Sequence, residues 1–125
     1  IFNLMRGRFR SPQIIQFLSQ MLKHHPHRHL VVVMDKAKPH VSKMTTNFIK
    51  SQKRLRVYYF PSRSPEMNPD EKIWNHLKHQ ELKSHQATNL NELEKLTHDK
   101  LFSMSKKVSL LKGIFLRSCI AKLLN

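Results

Sequence analysis

The chain has 125 residues, 39% of them hydrophobic, with 23 Lys and Arg against 8 Asp and Glu, a formal net charge of +15. That length suits one ordinary domain, and so large a cationic excess points to polyanionic partners, nucleic acid first. One cysteine excludes an intrachain disulfide, two glycines leave no glycine-rich phosphate loop, and no apolar stretch is long enough to span a bilayer.

Residues 1–9 read as a short, poorly patterned strand that Gly7 interrupts. Arg6 and Arg8 make the segment unlike a signal peptide, and Ile at position 1 suggests a fragment. Ser11-Pro12 reads as an N-cap followed by proline at the first helical position. Ile14, Phe17, Leu18, Met21 and Leu22 follow at helical spacing, which predicts an amphipathic helix over 12–24 that Pro26 stops. Leu30 to Met34 is a continuous apolar run rich in valine, the mark of a strand buried on both faces. Pro39 closes the loop after it, a second helix is predicted over 41–51, and Leu55 to Phe60 is a second strand bounded by Pro61. Strand, helix and strand with short links predict a right-handed crossover between parallel strands.

After a loop over 61–67, Asn68-Pro69-Asp70-Glu71 opens a third helix as N-cap, proline and two acids, with Ile73, Trp74 and Leu77 expected to face the core. Asn89 to Glu92 repeats the capping pattern and starts a fourth helix through about Met104. Residues 107–124 are expected to form a last, basic helix packed on the sheet. A single α/β domain over residues 1–125 is the simplest architecture.

In an open parallel sheet, ligands gather beyond the carboxyl ends of the strands. Asp35 stands at such an end. The loop after the second strand leaves from the same edge, so Glu71, in the first turn of the helix that loop feeds, is expected to face Asp35. Carboxylate oxygens suit Mg²⁺ or Mn²⁺, ions that serve phosphodiester cleavage. Glu71 is equally well placed, three residues after Asn68, to be a capping-box glutamate, and Asp35 to be a solvated strand end. His40 either lines the site or caps the next helix. His24, His25, His27 and His29 cluster around Pro26 without the cysteine or acid that would complete a zinc site. Lys36, Lys43, Lys53 and Arg54 are candidate phosphate contacts or a solvated face. Arg63, in the loop closest to the acids, is the best single phosphate candidate.

Leu30 to His40 (LVVVMDKAKPH) resembles the strand-plus-Asp segment of the IS630/Tc1/mariner transposases. Tyr58 to Trp74 (YYFPSRSPEMNPDEKIW) resembles their PxxSPxxNPxExxW segment, and the 35 residues between Asp35 and Glu71 match that family's spacing. The resemblance implies an RNase H-like fold, DNA as substrate, and three acids that hold two divalent ions, Mg²⁺ or Mn²⁺. It makes Asp35 the second acid and Glu71, three residues before Trp74, the third, with Asp70 as the near competitor. It also aligns His40 and Asn68 with motif positions. An intracellular location follows, in the cytoplasm of a prokaryote or the nucleus of a eukaryote.

Residues 1–34 hold no acid. The first acid and the first strand are therefore expected upstream. The chain is then an RNase H-like domain incomplete at its N-terminus, with C-terminal helices, and inactive alone. Lys36 stands where the family has Asn and is expected to compete with a metal for Asp35. The edge of the strand at 30–34, unpaired without the first strand, is expected to drive self-association. The alternative is a noncatalytic nucleic-acid-binding or protein-interaction module derived from a transposase.

Overall fold

The computed structural model describes residues 2–117. In chain order these form α1 (Ser11–His24), β1 (Leu30–Met34), α2 (Lys38–Val41), α3 (Lys43–Ser51), β2 (Leu55–Tyr59), a 3₁₀ turn (Pro65–Met67), α4 (Pro69–His76), a π turn (Leu77–Glu81), α5 (Leu90–Lys106) and α6 (Val108–Leu116). The architecture is mixed α/β, and the chain divides into two compact units, residues 3–63 and residues 64 onward. Among the described residues no helix is long and apolar enough to cross a membrane.

In the first unit β1 and β2 pair in parallel, Leu30 opposite Leu55 and Met34 opposite Tyr59, as the strand–helix–strand order predicts. Ile14, Leu18 and Leu22 from α1 form the core with Met34 and Leu55, and Phe48 and Ile49 from α3 close around it. The expectation that β1 is buried on both faces does not hold. Val31 is 64% exposed, and Val33 and, on β2, Tyr58 are exposed beside it. Valine-rich composition suits a strand whether one side or two are covered, and the helices of this unit lie against one.

Residues 2–10 form no strand, and Gly7 takes a left-handed turn (φ 89°). α1 starts at Ser11 itself. Arg10 is the N-cap, its N–H donating to Gln13 Oε1 (3.1 Å), and the Ser11 hydroxyl bonds that of Ser42 instead (2.7 Å). The helix expected over 41–51 is split at Ser42. The extended backbone there ends α2, and its Oγ caps α3 by accepting from Thr45 N–H (3.2 Å). Pro39, expected to close a loop, lies in the first turn of α2, where a missing N–H is harmless. Its carbonyl accepts from the hydroxyl of fully buried Thr45 (2.6 Å).

In the second unit Asn68 caps α4, accepting from Asp70 N–H (3.0 Å). Leu77, Leu101, Met104 and Ile114 are buried, and α6 packs on α4 and α5. Trp74, expected in the core, is 42% exposed. Buried Leu77 and half-buried Ile73 lie four apart on one face, and Trp74 is turned about 100° from Ile73. Asn89 caps α5 by accepting from Glu92 N–H (2.9 Å). The Glu92 carboxylate reaches back to Thr88 rather than to Asn89's backbone, and those bonds to the Thr88 N–H and hydroxyl hold it below the usual carboxylate range. The last helix spans Val108–Leu116; residues 118–124 of the predicted 107–124 segment, with Cys119, lie outside the described residues.

Glu81, on the π turn, meets His76 (3.4 Å), Lys100 (3.6 Å) and Lys107 (3.7 Å). Burial pushes its carboxyl up, but Lys107, His76 and Lys100 outweigh that and hold it below its ordinary value of 4.5. A carboxyl with a depressed folded value stabilises fully above its unfolded value and loses that contribution as pH falls through the folded one. Glu81→Gln should therefore flatten the acid limb of stability below about pH 4.5, read by urea unfolding across pH. An unchanged limb would show that these cations do not stabilise the fold.

Candidate functional site

Asp35 is the first residue beyond the carboxyl end of β1. Its Oδ1 accepts from Ala37 N–H (3.0 Å), a local turn of the kind Asp favours, and lies 2.7 Å from His40 Nδ1. The same Nδ1 is 3.2 Å from the Asp35 carbonyl oxygen. A carboxylate and a carbonyl only accept, so Nδ1 carries the proton. His40 is held from several directions. Its N–H donates to Ala37 C=O (2.9 Å), its carbonyl accepts from the Tyr59 hydroxyl (3.1 Å), and Phe9 meets its ring edge-on at 5.7 Å. Burial pushes the Tyr59 hydroxyl up, which keeps it a donor.

His40 lies within α2, and its ring contacts the acid. The Asp35 side chain is 53% exposed and the His40 side chain 17%. Oδ2 of Asp35 accepts no hydrogen bond among the described residues. An accessible anionic oxygen on a carboxylate anchored through its other oxygen fits a hard divalent cation as one ligand. Lys36, expected to compete for Asp35, is exposed and makes no ion pair with it among the described residues; His40 and a backbone N–H occupy Oδ1 instead.

Glu71 belongs to the second unit, exposed in the first turn of α4. Its carboxylate makes no hydrogen bond or ion pair among the described residues, so the capping-box alternative is not realised; the cap at Asn68 serves Asp70 N–H. Among the described residues no three His, Cys, Asp or Glu side chains gather as a metal cluster, and this includes the histidines around Pro26.

Lys36, Lys43, Lys53 and Arg63 are all exposed. Arg63 holds a left-handed backbone (φ 59°), which costs about 1 kcal/mol in a non-glycine residue. Arg54 is differently engaged. Its guanidinium donates to the carbonyls of Leu22 (3.1 Å), His25 (2.7 Å) and Arg28 (2.9 Å), closing the end of α1 and the turn after it. Residues 1–63 carry thirteen Lys and Arg, and Asp35 is their sole acid. Sequence reasoning missed both the Arg54 clamp and the Tyr59 support of His40. Strand alternation shows that one of Tyr58 and Tyr59 faces inward, but gives no partner for its hydroxyl.

No curated protein matches the chain. The DDE superfamily endonuclease family matches residues 1–94, a span that takes in both motif segments together with Asp35, His40 and Glu71. With most of its length matched, and with an anchored carboxylate at the end of a parallel strand on a strongly basic unit, the chain belongs to the DDE superfamily endonucleases, whose domain is that of transposase-like nucleic-acid cleavage.

Proposed function

We propose that residues 1–125 are the C-terminal part of the RNase H-like catalytic domain of an IS630/Tc1/mariner-type transposase, with Asp35 as the second and Glu71 as the third metal-binding acid. The observation that carries this is the state of Asp35: one carboxylate oxygen tied by two donors, the other open, at the carboxyl end of a parallel strand. The divalent ions, Mg²⁺ or Mn²⁺, supply charge stabilisation to the attacking and leaving oxygens of a phosphodiester. The chain's own residues do the rest. Asp35 offers Oδ2, Glu71 offers an uncommitted carboxylate, and Lys36, Lys43, Lys53 and Arg63 neutralise phosphates. Asn68 starts the helix that carries Glu71.

Two acids of a three-acid set hold metal weakly, and residues 1–34 supply no third. On this reading the chain binds DNA without cutting it, and works in a prokaryotic cytoplasm or a eukaryotic nucleus. β1 pairs only with β2 among the described residues. In a parallel ladder successive residues bond to opposite sides, and Leu30 and Met34 bond toward β2. The backbone groups of Val31 and Val33 therefore point to the other edge, which we propose as a route to self-association.

The experiment pairs plasmid nicking with duplex binding. The purified chain should leave supercoiled plasmid intact in Mg²⁺ or Mn²⁺. It should bind duplex DNA with an affinity that falls steeply with salt, and Lys43→Ala and Lys53→Ala should each reduce the log–log slope by about 1. Nicking that disappears in Asp35→Ala would overturn the proposed inactivity. Salt-insensitive binding would overturn the phosphate assignment.

A further inference from the structure

We propose that His40 is a positioning residue for Asp35: its Nδ1–H, together with the Ala37 N–H, holds Oδ1 and leaves Oδ2 as the oxygen offered to a divalent cation. The inference rests on the assignment of Asp35 as a metal ligand. It goes beyond that assignment by saying which oxygen binds and what fixes it.

Asp35 follows directly on a strand, and an aspartate there has two soft side-chain torsions. The Ala37 N–H alone fixes one contact on Oδ1 (3.0 Å) and leaves the carboxylate able to swing about it. His40 adds a second donor to the same oxygen at 2.7 Å, and its further contact with the Asp35 carbonyl (3.2 Å) ties the ring to the backbone of the residue it orients. The imidazole is largely buried where the carboxylate is half exposed, so the less mobile partner sets the position of the more mobile one. Behind His40 stands a chain of contacts into the unit's interior. The Tyr59 hydroxyl holds the His40 carbonyl, and Tyr59 packs against the core that Leu18 and Leu55 build. The buried Thr45 hydroxyl holds the carbonyl of Pro39, one residue before His40. The short helix α2 is thus pinned at successive residues, and its end product is one ring nitrogen aimed at one carboxylate oxygen. Groups that orient a metal ligand in this way govern affinity although they never touch the ion.

The test uses the whole ¹⁵N-labelled chain and Mn²⁺ alone, reading paramagnetic broadening of the Ala37 amide as Mn²⁺ is added. Wild type should broaden there first. His40→Ala should raise the Mn²⁺ midpoint about tenfold or more, the range for loss of a ligand-orienting partner. His40→Asn places an amide N–H where Nδ1–H stood and should stay within about twofold of wild type. Asp35→Asn separates the two claims. If it leaves the broadening unchanged, Asp35 is not a ligand and the proposed function fails. If it abolishes the broadening while His40→Ala leaves the midpoint alone, only the positioning role fails. An equal loss in His40→Ala and His40→Asn would overturn positioning in favour of direct ligation by the ring. Independently of any variant's folding, long-range ¹H–¹⁵N correlations of wild type should show a protonated Nδ1; an unprotonated Nδ1 at neutral pH would overturn the proposal.

Discussion

Leu55→Ala is expected to destabilise the first unit by about 3 to 5 kcal/mol, the cost of a buried leucine truncated where the surroundings cannot collapse. Leu55 is 1% exposed, opens β2 opposite Leu30, and shares the core with Leu18, Leu22 and Met34. The cavity would lie between α1 and the sheet, each tied down by its own hydrogen bonds. A unit of this size has little stability to lose, commonly about 5 kcal/mol. The mutant should therefore be largely unfolded at growth temperatures. Leu55→Met, which conserves volume, should cost less than about 1.5 kcal/mol. Urea unfolding followed by far-ultraviolet circular dichroism checks both. Equal effects of the two substitutions would mean that Leu55 is not a packing centre.

The second large effect is expected at Arg54. Arg54→Met keeps much of the side chain's bulk but strips three carbonyl oxygens of their donor, at Leu22, His25 and Arg28. Hydrogen bonds from a charged donor contribute about 1.5–3 kcal/mol each, and partial rehydration returns some of that, so a net loss of about 2 to 4 kcal/mol is expected. Arg54→Lys should recover little, because a single ammonium cannot span carbonyls that a planar fork reaches together. Lys53→Ala, one residue away and exposed, should move stability by no more than about 0.5 kcal/mol while weakening DNA binding. Unfolding and anisotropy titrations of both variants decide the matter. The reverse ranking would make Arg54 a phosphate contact after all.

These contrasts show where sequence reasoning carries and where it stops. Helix α1 was legible because Ile14, Leu18 and Leu22 repeat at the helical period and Pro26 bars continuation. The parallel pair was legible because two apolar runs flank a helical segment joined to them by short links, the connection that parallel strands require. The caps at Asn68 and Asn89 were legible from residue type alone. Three things were not. Arg54 and Arg56 look identical in the sequence, and only contacts some thirty residues distant show that Arg54 closes a helix end. Val31 and Val33 look like core because valine suits any strand, and which faces are covered depends on elements elsewhere in the chain. Ser42 reads as one more residue of a helix until its hydroxyl is seen capping the next one. At the candidate site, Asp35 could be placed at a strand end from pattern, but its pairing with His40 needed the turn through Ala37 that brings residue 40 back over residue 35.

The lone carboxylate among thirteen cations in residues 1–63 has a thermodynamic corollary. Within this segment thirteen formal positive charges face one formal negative charge, so Coulomb repulsion opposes its compaction. Folding and anion occupancy are then linked by mass action: whatever multivalent anion prefers the folded form also raises its melting point. A phosphate-rich duplex would act on this half as a scaffold as well as a cargo, so that the protein is firmest when it is on its target.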